Sequence, residues 1–165
     1  MTITVGTDTY VTLAEALAYA AARPALSSWA DLTDPVREAA LVEAAIYLDA
    51  SYSWKGQITD DAQALSWPRS DVIDKEGRVL DADTVPNAIK SAQIEYAALA
   101  SAGALVENKT TGNVASIKAG AVDIKFVNGQ NVNEGQRFAS VDRLLAGLYT
   151  SRAGAGSVNA TVIRG

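Results

Sequence analysis

The chain has 165 residues, of which 48% are hydrophobic and 20% charged, which predicts one folded domain with a substantial core and extended arms and excludes a disordered chain. It contains no cysteine and no histidine, which excludes disulfides, thiolate nucleophiles, Ser-His-Asp triads and ordinary zinc sites. Its formal net charge of -5 argues against nucleic-acid binding as the main task, because an acidic chain gains little affinity by releasing counterions from a phosphate backbone.

The N-terminal segment predicts an extended start followed by a capped helix. Residues 1–11 alternate loosely between apolar and polar positions, which favours a short strand or an extended arm. No basic region precedes an apolar run at the N-terminus, so we expect no signal peptide. Thr12 and Glu15 have the spacing of a capping box, so a helix should begin there and end before Pro24. No uninterrupted apolar run reaches about 18 residues, so we expect no transmembrane helix.

A longer helix is predicted from Asp34, as its N-cap, and Pro35, at its first helical position, to about Tyr52. Just upstream of this helix, Trp29 and Leu32 are expected to pack in the core. The helix is apolar on most of its circumference, through Val36, Ala39, Ala40, Leu41, Val42, Ala44, Ala45, Ile46 and Leu48. Such a helix is buried on more than one side. Two interpretations stay open, a central core helix or a helix that also contacts another subunit.

Residues 53–85 are predicted to be rich in loops. Pro68 should hold the preceding Trp67 in an extended conformation, because the residue before a proline avoids the helical region. Residues 74–77 have the composition of a four-residue hairpin loop, with Gly77 where a positive φ is easiest.

A further helix is predicted to begin near Pro86 and to be capped by Asp83 or Thr84. Its apolar face should consist of Ile89, Ala92, Tyr96 and Leu99. Gly103 is the expected C-terminal stop.

The last third of the chain begins with a polar linker, residues 107–113. Alternating residues between 114 and 127 then predict a β-hairpin whose strands are joined by residues 119–121. Ser140 should cap a final helix with apolar positions Val141, Leu144, Leu145, Leu148 and Tyr149. The tail, residues 151–165, is too rich in glycine to fold alone. Its apolar Val158, Val162 and Ile163 indicate that a partner orders it.

These elements predict a mainly α fold: a small helical bundle with a C-terminal β-hairpin, a final short helix and an extended C-terminal tail. The expected boundaries are residues 1–106 for the helical domain, 107–150 for the hairpin and helix extension, and 151–165 for the C-terminal arm.

No motif indicates catalysis, a cofactor or a metal. An acidic cluster lies around Gly77, but aligning this glycine with that of a calcium loop puts Val72 at the first ligand position, so turn and cap roles are favoured. The lone Gly-x-Gly within residues 153–157 lacks the strand, third glycine and lysine of a phosphate cradle. No pair of carboxylates is accompanied by a nucleophile. We therefore expect no enzymatic activity, no cofactor and no metal.

Trp67 and Arg69 allow two interpretations. An aromatic and a basic side chain in a loop could stack on the bases of single-stranded nucleic acid. Alternatively, Trp67 fills the helical core, Pro68 shapes the loop and Arg69 pairs with a nearby carboxylate. The second interpretation is favoured, because the basic residues are scattered along the chain and form no cluster.

From Thr7 to about Ala104 the sequence resembles the head–tail adaptors, or connectors, of tailed bacteriophages. The matching residues are Tyr10, Val11, Thr12, Glu15, Ala16 and Tyr19, then 39–49, 54–56, 65–69 and 74–77, and finally Val85, Pro86, Ala88, Ile89, Ala92, Gln93 and Glu95. Within this set Trp67, Pro68, Arg69 and Pro86 are expected to be structural. Some members of the family carry a label that likens them to a DnaT-like single-stranded-DNA-binding replication protein.

The resemblance implies a structural virion protein of the phage neck, present in the host cytoplasm during assembly. Such adaptors form a homo-oligomeric ring, here expected to match a dodecameric portal. The ring lies between the portal and the tail completion or tail terminator proteins and continues the DNA channel. Genomic DNA would pass without specific binding, and no membrane is involved. The alternative is a single-stranded-DNA-binding replication accessory protein.

In the adaptor family C-terminal segments reach the portal. The resemblance of this chain ends near Ala104, so a docking role for its C-terminal segment is expected from the apolar residues of the tail itself. The residues expected to bind the portal or another partner are Tyr149, Arg152, Val158, Val162, Ile163 and Arg164.

Overall fold

Two long helices form the centre of the fold. In the computed structural model, which describes residues 2–103, 105, 116–119, 122–125 and 138–152, α3 (Asp34–Ser51) packs along α4 (Asn87–Ala102). The shorter α1 (Leu13–Ala21), the 3-10 turn Pro24–Leu26 and α2 (Ser27–Ala30) pack around this pair, and α5 (Ala139–Leu144) contacts α4. The prediction of a mainly α fold, a small helical bundle with a C-terminal β-hairpin and a final short helix, is confirmed, whereas most of the predicted extended tail lies outside the described residues.

Before α1 the chain makes a turn, where a short strand or an extended arm was predicted. Gly6, at a φ of 85°, donates its N–H to the Thr9 carbonyl at 2.8 Å, and the Asp8 carboxylate accepts from the Thr4 amide at 2.8 Å. The predicted capping box is confirmed. The Thr12 hydroxyl accepts from the Glu15 amide at 3.1 Å, and the Glu15 carboxylate accepts from the Thr12 amide at 2.8 Å.

Helix α3 follows the predicted span, but its N-cap is Thr33. The expected cap, Asp34, instead lies inside the first turn, where its carboxylate accepts from Arg37. Pro35 occupies the second helical position, so the helix starts one residue earlier than predicted. Downstream of Ser51 the chain continues directly into a strand.

Three pairs of short antiparallel strands are described. β1 (Tyr52–Trp54) pairs with β6 (Tyr149–Arg152), with a bulge at Ser53 and Trp54. β2 (Gln57–Ile58) pairs with β3 (Arg69–Ser70). β4 (Ser116–Ala119) and β5 (Val122–Lys125) form the hairpin predicted from the alternating sequence.

The predicted hairpin around residues 74–77 is also confirmed. Ile73 and Val79 face each other in an antiparallel bridge, and the Leu80 amide donates to the Val72 carbonyl at 2.9 Å. Gly77 has a φ of 82°, as its place in the loop requires.

Helix α4 ends as predicted but starts differently. Gly103 is its C-cap, whereas Pro86 is the N-cap and no side chain caps the helix. The proposed caps, Asp83 and Thr84, instead belong to a turn organised by Asp81, whose carboxylate accepts from the Asp83 amide at 3.0 Å and the Thr84 hydroxyl at 3.1 Å.

The final helix is shorter than its apolar spacing predicts. α5 ends at Leu144, its N-cap is Phe138 rather than Ser140, and Tyr149 lies in β6. Gly147, at a φ of 91°, redirects the chain before β6. Leu145 and Leu148 are buried nonetheless, because the turn brings them to the same core as Val141.

The core lies between α3, α4 and the segments that cross them. Its largest fully buried side chains include Tyr10, Trp29, Leu41, Leu48, Trp67, Ile89 and Tyr96. Trp29 is buried and Leu32 packs against the core, as predicted. No helix in the described part of the chain is long and apolar enough to cross a membrane.

Gly56 and Gly77 provide a matched test of the packing that holds the loops. Both have positive φ, so an alanine at either position costs roughly 1–2 kcal/mol in backbone strain. A Cβ on Gly56 would also lie 2.1 Å from the Ser70 carbonyl oxygen, whereas a Cβ on Gly77 would meet nothing within 4 Å. We expect Gly56→Ala to lower the free energy of unfolding by clearly more than Gly77→Ala in denaturant titrations. Equal losses would contradict the close approach of β2 and β3.

Candidate functional site

Trp67 is an internal side chain and not a surface platform. It is 1% exposed, and its ring lies edge-to-face against Trp54 with the ring centroids 5.7 Å apart. The peptide bond between Trp67 and Pro68 is cis. This burial confirms the interpretation in which Trp67 fills the core, and it removes the ring from any contact with a base.

Arg69 holds three backbone carbonyls together. Its Nε donates to the Lys55 carbonyl at 2.7 Å, its Nη2 to the Gly56 carbonyl at 2.8 Å, and its Nη1 to the Ser66 carbonyl at 3.2 Å. The prediction that Arg69 pairs with a carboxylate is therefore corrected, because its donors are used on the backbone. Burial lowers the pKa of Arg69, and the negative charge of Asp49 acts in the opposite direction.

The Asp49 carboxylate is the polar centre of this region. One oxygen accepts from the Tyr10 hydroxyl at 2.5 Å, and the other accepts from the Ser66 amide at 2.9 Å. Burial raises the pKa of Asp49, while these hydrogen bonds and the charge of Arg69 favour the ionised form. The pKa of Tyr10 is also raised, first by burial and then by the adjacent carboxylate.

A fully buried glutamine connects the same region to both long helices. Gln93 accepts from the Tyr10 amide at 3.0 Å through its Oε1 and donates to the Leu41 carbonyl at 2.9 Å through its Nε2. The segment before α1 is thereby joined to α3 and α4 by one side chain. Because a buried amide without partners is costly, these two bonds also fix the relative position of the helices.

Glu95 makes a similar connection nearer the surface. Its carboxylate accepts from Arg23 at 2.7 Å and from the Tyr19 hydroxyl at 3.3 Å, and the Arg23 guanidinium lies 4.3 Å from the centre of the Tyr19 ring. Tyr19 and Glu95 thereby join α1 to α4.

The expected partner residues of the C-terminal segment fall into two groups. Tyr149 lies in β6, with its ring edge-to-face against Tyr52 at 5.0 Å, and Arg152 is the register partner of Tyr52. Val158, Val162, Ile163 and Arg164 lie outside the described residues. Pro86, expected to be structural, accepts from the Ile89 amide at 3.0 Å.

Hydroxyl groups around Tyr52 attach the C-terminal elements to the helical pair. The Tyr52 hydroxyl lies 2.7 Å from the Tyr96 hydroxyl and donates to the Asp142 carboxylate at 2.5 Å. β1, α4 and α5 therefore meet at one buried polar cluster. None of these contacts was predicted from the sequence.

The described surface offers little for stacking bases or holding metals. Of the aromatic side chains whose burial is described, each is buried or half-buried. In the same part of the chain no group of three or more acidic side chains has the geometry of a metal site. The large hydrophobic side chains that are exposed are aliphatic. They include Val36 and Ile46 on α3 and Ile73 and Val79 on the hairpin.

Two residues at the centre of this network, Asp49 and Gln93, were not predicted to act together. The sequence signal that could have indicated them is a polar residue within an otherwise apolar helical face, since such a residue needs a hydrogen-bond partner when it is buried. The partners themselves could not be read from spacing, because Tyr10 and Gln93 are separated by 83 residues.

Comparison with known proteins adds one finding. A family model described as "Putative DnaT-like ssDNA binding protein" matches residues 2–165, which is nearly the whole chain. The comparisons with curated proteins and with solved structures give no match.

Replacing Tyr10 by phenylalanine tests the Asp49 centre. The substitution removes a hydrogen bond from a half-buried carboxylate, so we expect the free energy of unfolding to fall by about 1–3 kcal/mol. Tyr19→Phe is the matched control and should cost about 1 kcal/mol or less, because its 3.3 Å bond is half-exposed and Arg23 still pairs with Glu95.

The pH dependence of the same variant supplies a second measurement. Burial raises the pKa of Asp49 above its value in the unfolded chain. Between these two pKa values the folded state favours the protonated carboxyl, so the contribution of Asp49 to the free energy of unfolding falls as the pH rises. The Tyr10 bond offsets this loss by favouring the ionised form. The cost of Tyr10→Phe should therefore be larger at neutral pH than at acid pH. A cost independent of pH would show that Asp49 is not the group affected.

Proposed function

We propose that this chain, which belongs to the family described as "Putative DnaT-like ssDNA binding protein", is a structural virion protein rather than an enzyme. In this proposal it is a head–tail adaptor of a tailed bacteriophage. Copies form a ring between the portal and the tail completion or tail terminator proteins, and the ring continues the DNA channel. The protein acts in the phage neck and is present in the host cytoplasm during assembly.

The observation that carries the proposal is an uncovered apolar stripe on α3. The α3 stripe consists of Val36, Ala39, Glu43, Ile46 and Ala50, which are all exposed. At about 100° per residue these positions fall within an arc of roughly 80°. Val36 is 48% exposed and Ile46 is 63% exposed. Apolar residues spaced in this way along one helix face are suited to contact with another protein.

The burial of Trp67 and the bonds of Arg69 to backbone carbonyls support the same proposal. A single-strand binder stacks bases on aromatic side chains that lie beside cationic groups. Here Trp67 is buried and Arg69 is bound to backbone carbonyls. The residues that resemble the adaptors therefore serve to hold the domain together, as expected for a subunit whose function is to form part of a larger assembly.

The charge of the chain suits a channel that DNA crosses without binding. A net charge of -5 gives a wall that repels phosphates, so a duplex would slide past it. In this proposal the C-terminal arm docks on the portal, and its repetition around the ring multiplies weak contacts. No catalytic residue, cofactor or metal is required.

Single-strand binding is the second candidate function, and the description of the family favours it. It would make the chain a replication accessory protein. In that case the binding surface would have to use residues other than Trp67 and Arg69.

The C-terminal arm tests the adaptor proposal. Strand β6 reaches Arg152, so deleting residues 153–165 leaves its pairing with β1 intact. We expect the shortened protein to keep the unfolding free energy of the full chain but to lose binding to the portal of the same phage. Electron microscopy of full-length protein mixed with portal should show an added ring on the tail side. Portal particles that stay bare with the full-length chain would contradict the proposal.

Oligonucleotides separate the two functions. With all three tryptophans buried or half-buried and an acidic chain, we expect no quenching of tryptophan fluorescence and no binding of a single-stranded oligonucleotide, even at low salt. Binding that weakens steeply with added salt would favour the replication accessory protein. The isolated full-length chain is suitable for both measurements.

A further inference from the structure

Four exposed aliphatic side chains form two pairs on different parts of the described surface. Val36 and Ile46 belong to the α3 stripe. Ile73 and Val79 belong to the hairpin of residues 72–80, where Ile73 is 52% and Val79 is 74% exposed. Each pair is a small apolar surface, and neither is a large enough patch to act as a broad interface alone.

The hairpin presents its pair in a fixed geometry. Ile73 and Val79 are opposite each other in an antiparallel bridge, so their side chains lie on the same face. On the other face Val72 is buried and Leu80 is half-buried, which attaches the hairpin to the domain. Lys75 also packs against Gly147, since a Cβ there would come within 2.9 Å of the Lys75 nitrogen. The hairpin therefore packs on the domain through one face and exposes two apolar side chains on the other.

The two surfaces offer one pair of opposite charges, Lys75 of the hairpin and Glu43 of the α3 stripe. The α3 stripe carries Glu43 at its middle, between Val36 and Ile46. In the hairpin loop both carboxylates, Asp74 and Glu76, are paired with Arg78. The exposed Lys75 is a second cation in the same loop. A lysine brought close to Glu43 would favour this pairing over a contact of two α3 stripes, which would place two glutamates together.

We propose that the hairpin of one copy docks on the α3 stripe of the next. Ile73 and Val79 would contact Val36 and Ile46 of a second copy of this chain, with Lys75 near Glu43. Because the two surfaces differ, the contact is head-to-tail, and repetition with a closing rotation gives a ring. The inference rests on the ring of the proposed function and identifies the surfaces that would form it.

Such a contact would be small and weak for a single pair of copies. Stable interfaces bury about 1,200–2,000 Å² in total, more than a hairpin tip on one helix face provides. In a closed ring every copy makes the contact twice, so avidity strengthens the assembly. A ring that is stable only when complete, or when formed on a portal, is the expected behaviour.

Cysteine crosslinking tests the pairing, because the natural chain has no cysteine. Single variants Ile46→Cys and Val79→Cys place a thiol on each surface, at exposed positions where folding should be unaffected. The full-length proteins are treated at high concentration with a short bismaleimide, alone and mixed. Val5→Cys mixed with Ile58→Cys is the matched control, since both residues are exposed aliphatic side chains outside the proposed contact.

We expect the Ile46→Cys and Val79→Cys mixture to give about tenfold more covalent dimer than the control mixture, because a specific contact raises the local thiol concentration. Each single variant alone should give only the control level, and a double variant should give a ladder of larger products. Efficient dimerisation of Ile46→Cys alone would overturn the inference in favour of a symmetric contact between two stripes. A mixture that crosslinks no better than the control would overturn it as well.

Failure of this inference and failure of the proposed function give different results. Rings on the portal without the Ile46–Val79 crosslink would refute the contact and leave the adaptor function standing. The crosslink without portal binding would support the contact and refute the adaptor function.

Discussion

The half-buried Asp49 carboxylate is the constraint on which the rest of the structure depends. An ionised group that is largely removed from water is costly unless its oxygens accept hydrogen bonds, and here Tyr10 and the Ser66 amide donate them. Those two donors come from the segment before α1 and from the loop before Trp67. Asp49 lies near the end of α3, so one carboxylate fixes three separate parts of the chain.

The same residues account for the way the two long helices are joined. Gln93 connects Tyr10 to Leu41, and Tyr52 connects Tyr96 to Asp142. Both sets of bonds cross between α3 or β1 and α4. The apolar faces supply most of the favourable burial, and the polar bonds select one arrangement among the many that alanine-rich helices would allow. Tyr10, Asp49 and Gln93 all take part in this set of bonds.

Because the Trp67-Pro68-Arg69 motif holds the domain together, the proposed function is assigned to the exposed surface and not to this motif. Trp67 and Arg69 are used inside the domain, whereas the exposed features are aliphatic side chains on α3 and on the hairpin. In the proposed assembly α3 is both a core helix and a contact helix, because it is buried on one face and exposed along a stripe on the other. The two interpretations of its apolar circumference are therefore compatible within the proposed assembly.

The sequence by itself determined the features that depend on neighbours a few residues apart: the Thr12 capping box, the span of α3, the loop ending in Gly77 and the Gly103 stop. Only the tertiary structure decided that Tyr10 meets Asp49 and Tyr52 meets Asp142, 39 and 90 residues apart, and that β1 pairs with β6. It also ended α5 at Leu144, where helical spacing continued to Tyr149, because pairing of Tyr149 with β1 outweighs local propensity. Capping and periodicity are local, but the partner of a buried polar group is set by which distant segments pack together.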